Sequence, residues 1–201
     1  MSVKAAVLVS GGGTNLQALI DASRAGNMPH VDLCLTLSNR ADAYALKRAE
    51  KAGIPSAVCQ REKGEAREAF EARMLEVLRA HDVEMLILAG FMAILSKEFV
   101  QNYPDRILNV HPSLIPAFCG KGFYGLHVHE AALAYGVKVT GATVHLVNEI
   151  PDGGRILLQK AVEIEPGDTP EVLQRRVMEQ AEWQLLPRAA EMVAKELEEK
   201  R

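Results

Sequence analysis

Short apolar runs alternate with amphipathic segments in the first half of the chain, and this alternation restricts the fold more than any other feature. Runs of four or five residues, typical of strands buried on both faces, occupy residues 5–9, 33–37, 85–89 and 107–110, with a weaker one at 56–59. Helical patterns lie between them at 15–25, 43–52, 66–80 and 97–102. This β-α-β order predicts an open parallel sheet with helices on both faces and right-handed crossovers.

The second half has a different pattern. Residues 137–147 and 156–164 are long β-type segments, and the connection between them is too short for a parallel crossover, so we expect antiparallel neighbours. Thr169 and Pro170 then begin a helix, predicted to run to about Leu186, to break at Pro187 and to continue as a charged terminal helix. The sequence contains no repeat or linker, so we expect one domain over residues 1–201.

Composition and charge exclude several classes of protein. Lys and Arg number 23 and Asp and Glu 26, a formal net charge of −3, so no basic excess favours nucleic acid as the main partner. No apolar run approaches the ~18 residues of a membrane span, and the run at 5–9 is too short for a secretion signal. Cys34, Cys59 and Cys119 are scattered, which predicts free thiols and a cytoplasmic location.

A run of three glycines lies between the first predicted strand and the first predicted helix. In the segment 10–15, SGGGTN, glycines let the backbone approach an anion closely, and the helix N-terminus offers unpaired N–H groups. The run lacks the lysine of a Walker loop and the G-x-G-x-x-G spacing of a dinucleotide site, and a tight turn is the alternative explanation for its glycines. We expect a single phosphate to bind at Gly12, Gly13, Thr14 and Asn15.

The fifth parallel strand is predicted to end in the pattern N-x-H-P-S. Alternation along a strand puts Asn109 and His111 on the same face, so that an amide donor lies beside an imidazole that titrates near neutral pH. A single histidine at a strand end is often structural. Open α/β sheets bind ligands at the carboxyl ends of their strands, however, so we interpret this pair as functional.

Asp152, in the turn sequence PDGG, becomes a candidate only together with that pair, because an aspartate alone there favours a tight turn. A carboxylate beside His111 would favour the imidazolium form. Attack of an amine on a carbonyl carbon needs a donor for the developing oxyanion and a route for the proton. Asn109, His111 and Asp152 would supply both without a metal or a covalent intermediate.

Other candidate sites are weaker. His127, His129 and His145 have no carboxylate or cysteine spaced to complete a metal site, so we expect no metal ion. The sequence has no Gly-x-Ser-x-Gly elbow, and the one candidate thiol, Cys119, is expected to be a bystander in a flexible loop. The apolar segment 90–95 is compatible with plain core or with the wall of a pocket for a flat heteroaromatic ligand.

The chain is similar to the glycinamide ribonucleotide transformylases, folate-dependent enzymes of purine biosynthesis, from about Val7 to about Pro187. Six segments carry the resemblance, in this order: SGGGTNLQALI, LAGFMAILS, ILNVHPSLIPAF, GLHVHEAAL, TGATVHLV and PDGGRILLQ. The glycine loop, the N-x-H-P-S pattern and the D-G-G turn together are specific for this family, whereas each motif alone is not. The resemblance implies a Rossmann-like three-layer α/β fold, whose seven-stranded sheet is mostly parallel with one antiparallel strand.

The resemblance also implies transfer of a formyl group from 10-formyltetrahydrofolate, a co-substrate, to the amine of glycinamide ribonucleotide. By motif, His111 would be the general acid or proton shuttle, Asn109 would bind the formyl oxygen and Asp152 would favour the imidazolium. Residues matching the nucleotide-binding positions are Gly12, Gly13, Thr14, Asn15 and Glu182. Residues matching the folate contacts are Arg67, Met92, Ala93, Ile94, Leu95 and Asn109. Thr143 matches a hydroxyl residue that borders the catalytic centre.

Three features depart from the family pattern. Ala93 stands where the family often has arginine, Trp183 stands where it often has histidine, and the loop 118–126 carries extra residues. Methionyl-tRNA formyltransferases share the core but need a further domain and a basic surface. Formyltetrahydrofolate deformylases carry a regulatory domain and lack the glycine loop. The length and charge of this chain favour neither. The alternative from a different functional class is a nucleotide-binding module without catalytic activity. The sequence does not distinguish a monomer from a homodimer.

Overall fold

The computed structural model describes residues 2–200, and within them seven strands form one sheet. In chain order they are β1 (Val3–Val9), β2 (Val31–Ser38), β3 (Ser56–Val58), β4 (Met85–Leu88), β5 (Ile107–His111), β6 (Val139–Leu146) and β7 (Ile156–Glu163). Their order across the sheet is β3-β2-β1-β4-β5-β6-β7. The first five are parallel, and β6 pairs antiparallel with both β5 and β7. The expected sheet, with one strand reversed, is confirmed.

Helices cover both faces of the sheet. They are α1 (Thr14–Arg24), α2 (Tyr44–Ala52), α3 (Arg67–Ala80), α4 (Lys97–Val100), α5 (Leu126–Tyr135), α6 (Pro170–Val177) and α7 (Trp183–Glu199). Alternate residues of β1 enter two different cores: Ala5 and Val7 pack with α1 and α7, whereas Ala6 and Leu8 pack with α3 and α4. This two-sided burial explains why the parallel strands read as continuous apolar runs.

The predicted break at Pro187 is wrong. A π turn, Met178–Glu182, interrupts the helix earlier, and α7 runs through Pro187. Proline lacks the N–H that would bond to the carbonyl four residues before it, which here belongs to Trp183, the first residue of α7. The missing bond therefore falls beside a π turn, where the regular hydrogen-bond ladder is already interrupted, and the helix continues.

Strand order places the ligand-binding edge of the sheet. From β1 the chain proceeds outward to β2 and β3, then returns to the other side of β1 for β4 and β5. The loops after β1 and β4 therefore leave the sheet side by side and separate in opposite directions, which opens a crevice at their carboxyl ends. The glycine loop and the apolar segment 90–95 are these two loops.

Gly13 fixes the junction between β1 and the helices. Its φ of 70° lies in the left-handed region, and a Cβ added there would lie 2.6 Å from Ala45 Cβ and 2.8 Å from Ala45 Cα. Ala45 is a fully buried residue of α2, so it cannot move aside cheaply. By contrast, a Cβ added at Gly12 would meet no atom within 4 Å.

We predict that Gly13→Ala lowers the free energy of unfolding by ~2 kcal/mol or more, because both the backbone conformation and the contact with Ala45 become strained. Gly12→Ala is the matched control, and its unfolding free energy should stay within ~1 kcal/mol of the wild type. Urea unfolding of the three proteins measures both effects. Equal stability of the two variants would contradict the explanation.

Candidate active site

A cleft of about 770 Å³ opens at the carboxyl ends of β1, β4 and β5. Of the site residues predicted from the sequence, all but Arg67 and Thr143 line it. They are Gly12, Gly13, Thr14, Asn15, Met92, Ala93, Ile94, Leu95, Asn109, His111, Asp152 and Glu182. The fold therefore brings together segments that are more than 160 residues apart in the chain.

The glycine loop forms one end of the cleft. Gly11 and Gly12 have open space where a side chain would project, and Thr14 begins α1 directly behind them. The first N–H groups of α1 and the exposed loop backbone suit an anion. Arg48 Nε donates to the Gly12 carbonyl at 2.8 Å, which places a positive charge behind the loop.

Asn15 and Glu182 form a buried pair beside this loop. Asn15 Nδ2 donates to Glu182 Oε2 at 2.7 Å, whereas Asn15 Oδ1 is buried without a partner. Glu182 lies at the end of the π turn. Burial raises its pKa to about 7, because the hydrogen bond from Asn15, which acts in the opposite direction, does not offset the loss of hydration.

The segment 91–95 forms an apolar wall, held in place from two sides. On the inner side, Met92 N donates to Ser10 Oγ at 2.8 Å, which ties the segment to the end of β1. On the outer side, Arg67 Nη2 donates to the Ile94 carbonyl at 2.8 Å. Arg67 therefore supports the wall from behind, which is why it does not line the cleft.

Asn109, His111 and Asp152 meet in the middle of the cleft, as the sequence predicts. His111 Nδ1 lies 3.5 Å from Asp152 Oδ2, and Asn109 Nδ2 lies 3.5 Å from Asp152 Oδ1. His111 is 5% exposed, and its Nε2 lies 2.8 Å from the Phe118 carbonyl. An acceptor oxygen thus lies near each of the two ring nitrogens.

His145 also belongs to this group, although its place in the sequence suggested only a metal ligand. It lies directly opposite Asn109 in the β5–β6 ladder, and its Nε2 is 3.2 Å from Asn109 Nδ2 and 3.5 Å from Asp152 Oδ1. Its Nδ1 donates to the Leu146 carbonyl at 2.8 Å. The strand register is the signal that finds it, and the register follows only from the antiparallel pairing.

Backbone geometry brings Asp152 back over the end of β5. Asp152 has a φ of 54°, and a Cβ added at Gly154 would lie 1.7 Å from the Leu146 carbonyl oxygen, so the turn closes only with glycine there. Gly120 N–H donates to Asp152 Oδ2 at 2.9 Å. Burial alone would raise the pKa of Asp152, but the neighbouring His145, the charge of His111 and the N–H of Gly120 outweigh it, so the pKa is lowered.

Thr143, which the resemblance places at the border of the catalytic centre, uses its hydroxyl group to hold the backbone that follows His111. It faces His111 across the β5–β6 ladder, donates to the Ser113 carbonyl at 2.7 Å and accepts from Ile115 N–H at 3.1 Å. It is fully buried and thus fixes the turn that follows His111.

Histidines and cysteines elsewhere do not assemble into a metal site. Within residues 2–200, no group of three or more His, Cys, Asp or Glu side chains is close enough to hold a metal ion. His127 is exposed and pairs with Glu130, whereas His129 is buried in the wall of the cleft.

Burial, together with the charge of Asp152, raises the pKa of the Cys119 thiol, which makes it a poor nucleophile. None of the helices in this part of the chain is long and apolar enough to cross a bilayer.

Comparison with known proteins identifies the family. The formyl transferase family model matches residues 3–190. The phosphoribosylglycinamide formyltransferase of Haemophilus influenzae is 42% identical over 184 residues, which is 92% of this chain and 84% of that protein. The chain belongs to the phosphoribosylglycinamide formyltransferase family. The crystal structure of glycinamide ribonucleotide transformylase 1 from Symbiobacterium toebii superposes with a TM-score of 0.90 at 41% identity, covering 96% of this chain and 88% of that one.

Longer members of this formyltransferase family carry the same unit within a larger protein. The trifunctional purine biosynthetic protein adenosine-3 of Gallus gallus is 44% identical over 192 residues, covering 96% of this chain. The chain spans 18% of the length of that protein.

The departures from the formyltransferase pattern have different structural meanings. Ala93 lines the cleft with a small side chain, so no long side chain projects from that position. The loop 118–126 contacts His111 through the Phe118 carbonyl and Asp152 through the Gly120 N–H. Nothing in the structure explains the tryptophan at position 183, whose indole N–H is buried without a partner.

We predict that Glu182→Gln changes how stability depends on pH. Between the ordinary pKa of 4.5 and about 7, the unfolded chain releases the proton that folded Glu182 retains, so wild-type stability falls as pH rises through this window. Glutamine keeps a hydrogen-bond partner for Asn15 and does not titrate. The unfolding free energy of the wild type relative to the variant should therefore drop by roughly 3 kcal/mol between about pH 4.5 and pH 8. Urea unfolding at several pH values measures it, and a constant difference would contradict the assignment.

Proposed function

We propose that this formyltransferase moves the formyl group of 10-formyltetrahydrofolate to the amine of glycinamide ribonucleotide, giving formylglycinamide ribonucleotide and tetrahydrofolate. The observation that carries the proposal is the meeting of Asn109, His111 and Asp152 between an anion-binding loop and an apolar wall within one cleft. Each half of the cleft then suits one substrate, and the reacting atoms lie between them.

The two substrates enter from opposite ends in this proposal. The phosphate of the nucleotide is bound by Gly12, Gly13, Thr14 and Asn15, with Glu182 beside it. The flat ring system of the folate packs against the segment 92–95, which Arg67 supports from behind. A shallow apolar wall with a few backbone polar groups is typical of sites for heteroaromatic ligands.

Chemistry begins when the amine nitrogen attacks the formyl carbon and the carbonyl oxygen gains negative charge. One N–H of Asn109 Nδ2 donates a hydrogen bond to His145 Nε2, and the other can turn from the long 3.5 Å contact with Asp152 to the oxyanion. His111 Nε2–H donates to the same oxygen, which replaces the Phe118 carbonyl as its acceptor. Preorganised donors of this kind stabilise the charge that develops in the transition state.

Collapse of the tetrahedral intermediate breaks the bond between the formyl carbon and N10 of the folate. His111 delivers its proton to the departing N10 and accepts the proton that the attacking amine nitrogen loses, so the imidazolium is regenerated. Asp152, an ionised carboxylate with a lowered pKa, stabilises the imidazolium before the first of these transfers and after the second. No metal is required for this sequence.

Dependence on the acceptor tests the reaction. Purified protein should release tetrahydrofolate from 10-formyltetrahydrofolate when glycinamide ribonucleotide is present, because the amine is the nucleophile, and should be nearly inactive without it. Spectroscopic assay of folate turnover with and without the nucleotide is the measurement. Equal turnover in its absence would indicate hydrolysis by water, the reaction of a formyltetrahydrofolate deformylase.

Substitution of the central residues tests their roles. We expect His111→Ala and Asp152→Asn each to lower kcat by at least ~10²-fold, the usual scale for acid–base groups. His127→Gln is the matched control, since His127 is exposed and lies outside the cleft, and it should keep wild-type kcat. Near-normal rates for the two central variants would refute the assigned roles.

A further inference from the structure

One polar side chain in the cleft wall has no role in the chemistry described above. His129, in α5, is fully buried, lines the cleft, and neither of its ring nitrogens has a hydrogen-bond partner. Buried polar groups are nearly always hydrogen-bonded, and leaving one unpaired is costly. Two unpaired nitrogens on one ring beside a ligand cleft therefore point to a partner that arrives with the ligand.

The charge state of His129 restricts what that partner can be. Burial, reinforced by the nearby charge of His111, lowers the pKa of His129 to about 4, so the ring is neutral near pH 7. A neutral imidazole presents one N–H donor and one lone pair. It is thus suited to a neutral group that donates or accepts a hydrogen bond, and it has no charge to attract a phosphate.

The position of His129 indicates which substrate it meets. Helix α5 packs against α6, and α6 with the following π turn supplies Gln174, Met178 and Glu182 to the cleft. Glu182 is bonded to Asn15 beside the glycine loop. His129 therefore belongs to the wall that adjoins the anion loop, on the acceptor side of His111.

We propose that His129 binds the neutral middle part of the acceptor nucleotide, through a sugar hydroxyl or the glycinamide amide. This inference rests on the proposed function, in which the phosphate occupies the glycine loop and the amine meets His111. The stretch between these two fixed ends carries hydroxyl and amide groups, each of which can match a neutral imidazole. His129 then selects an acceptor with a hydrogen-bonding group at that point, and an analogue without one leaves the ring unpaired.

Calorimetric titration with glycinamide ribonucleotide, and steady-state kinetics in both substrates, test the inference. In His129→Leu, an apolar side chain of similar size occupies the space of the imidazole ring, and both ring nitrogens are removed. We expect its Kd and KM for the nucleotide to rise about 3- to 10-fold, the usual effect of losing a neutral hydrogen bond, while KM for the folate changes less than ~2-fold. His129→Gln, which restores a donor and an acceptor, should recover part of the loss.

If His129 has only a structural role, we expect no change in the nucleotide affinity of His129→Leu. If the ring only fills space, leucine serves as well, and the nucleotide affinity of His129→Leu equals that of the wild type, which would overturn the inference. His127→Gln, on the same helix but outside the cleft, is the control and should bind like the wild type.

Nitrogen NMR of the histidine rings in the unsubstituted protein covers the case in which His129→Leu fails to fold. Adding the nucleotide should shift the His129 ring nitrogens and leave those of His127 unchanged. Unshifted His129 signals at saturating nucleotide would also overturn the inference. Turnover by the wild type distinguishes failure of the proposed function from failure of this inference. A wild type that is inactive and binds no nucleotide refutes the proposed function. An active wild type in which His129 does not respond to the nucleotide refutes only this inference.

Discussion

The antiparallel pairing of β5 with β6 is the interaction on which the rest of the site depends. It is the first reversal in a sheet that is otherwise parallel, and it sets His145 opposite Asn109 and Thr143 opposite His111. Strand β6 ends opposite Leu108, and the connection to β7 folds back along β5 to Asn109 and His111. Asp152, some forty residues beyond His111, therefore returns to within 3.5 Å of it.

An acceptor oxygen lies near each ring nitrogen of His111. The Asp152 carboxylate faces Nδ1 and the Phe118 carbonyl faces Nε2. Phe118 belongs to the loop with extra residues relative to the family pattern, and Gly120 of the same loop donates to Asp152. The extended loop is thus part of the proposed catalytic environment, because it contacts both His111 and Asp152 through backbone atoms that do not depend on side-chain identity.

Local sequence pattern predicted most of the fold. Five strands and the β6–β7 hairpin followed from apolar runs and connection length, because burial on both faces leaves a signal that does not need a partner. Helix α5 was not predicted, since its apolar residues alternate with histidines and form no stripe. The misplaced helix break shows the same limit: whether a proline interrupts a helix depends on the hydrogen-bond ladder around it, which the π turn had already altered.

For the site, the sequence by itself determined which chemistry is available. The three glycines, the N-x-H-P-S strand end and the D-G-G turn name an anion loop, an amide, an imidazole and a carboxylate, since residue type fixes what each group can donate, accept or titrate. Only the tertiary structure decided their arrangement. It placed Arg67 behind the cleft wall, joined His145 to the central group, and buried Glu182 and His129 deeply enough to shift their pKa values in opposite directions. Distance and hydration control those properties, and both arise from contacts between segments far apart in the chain.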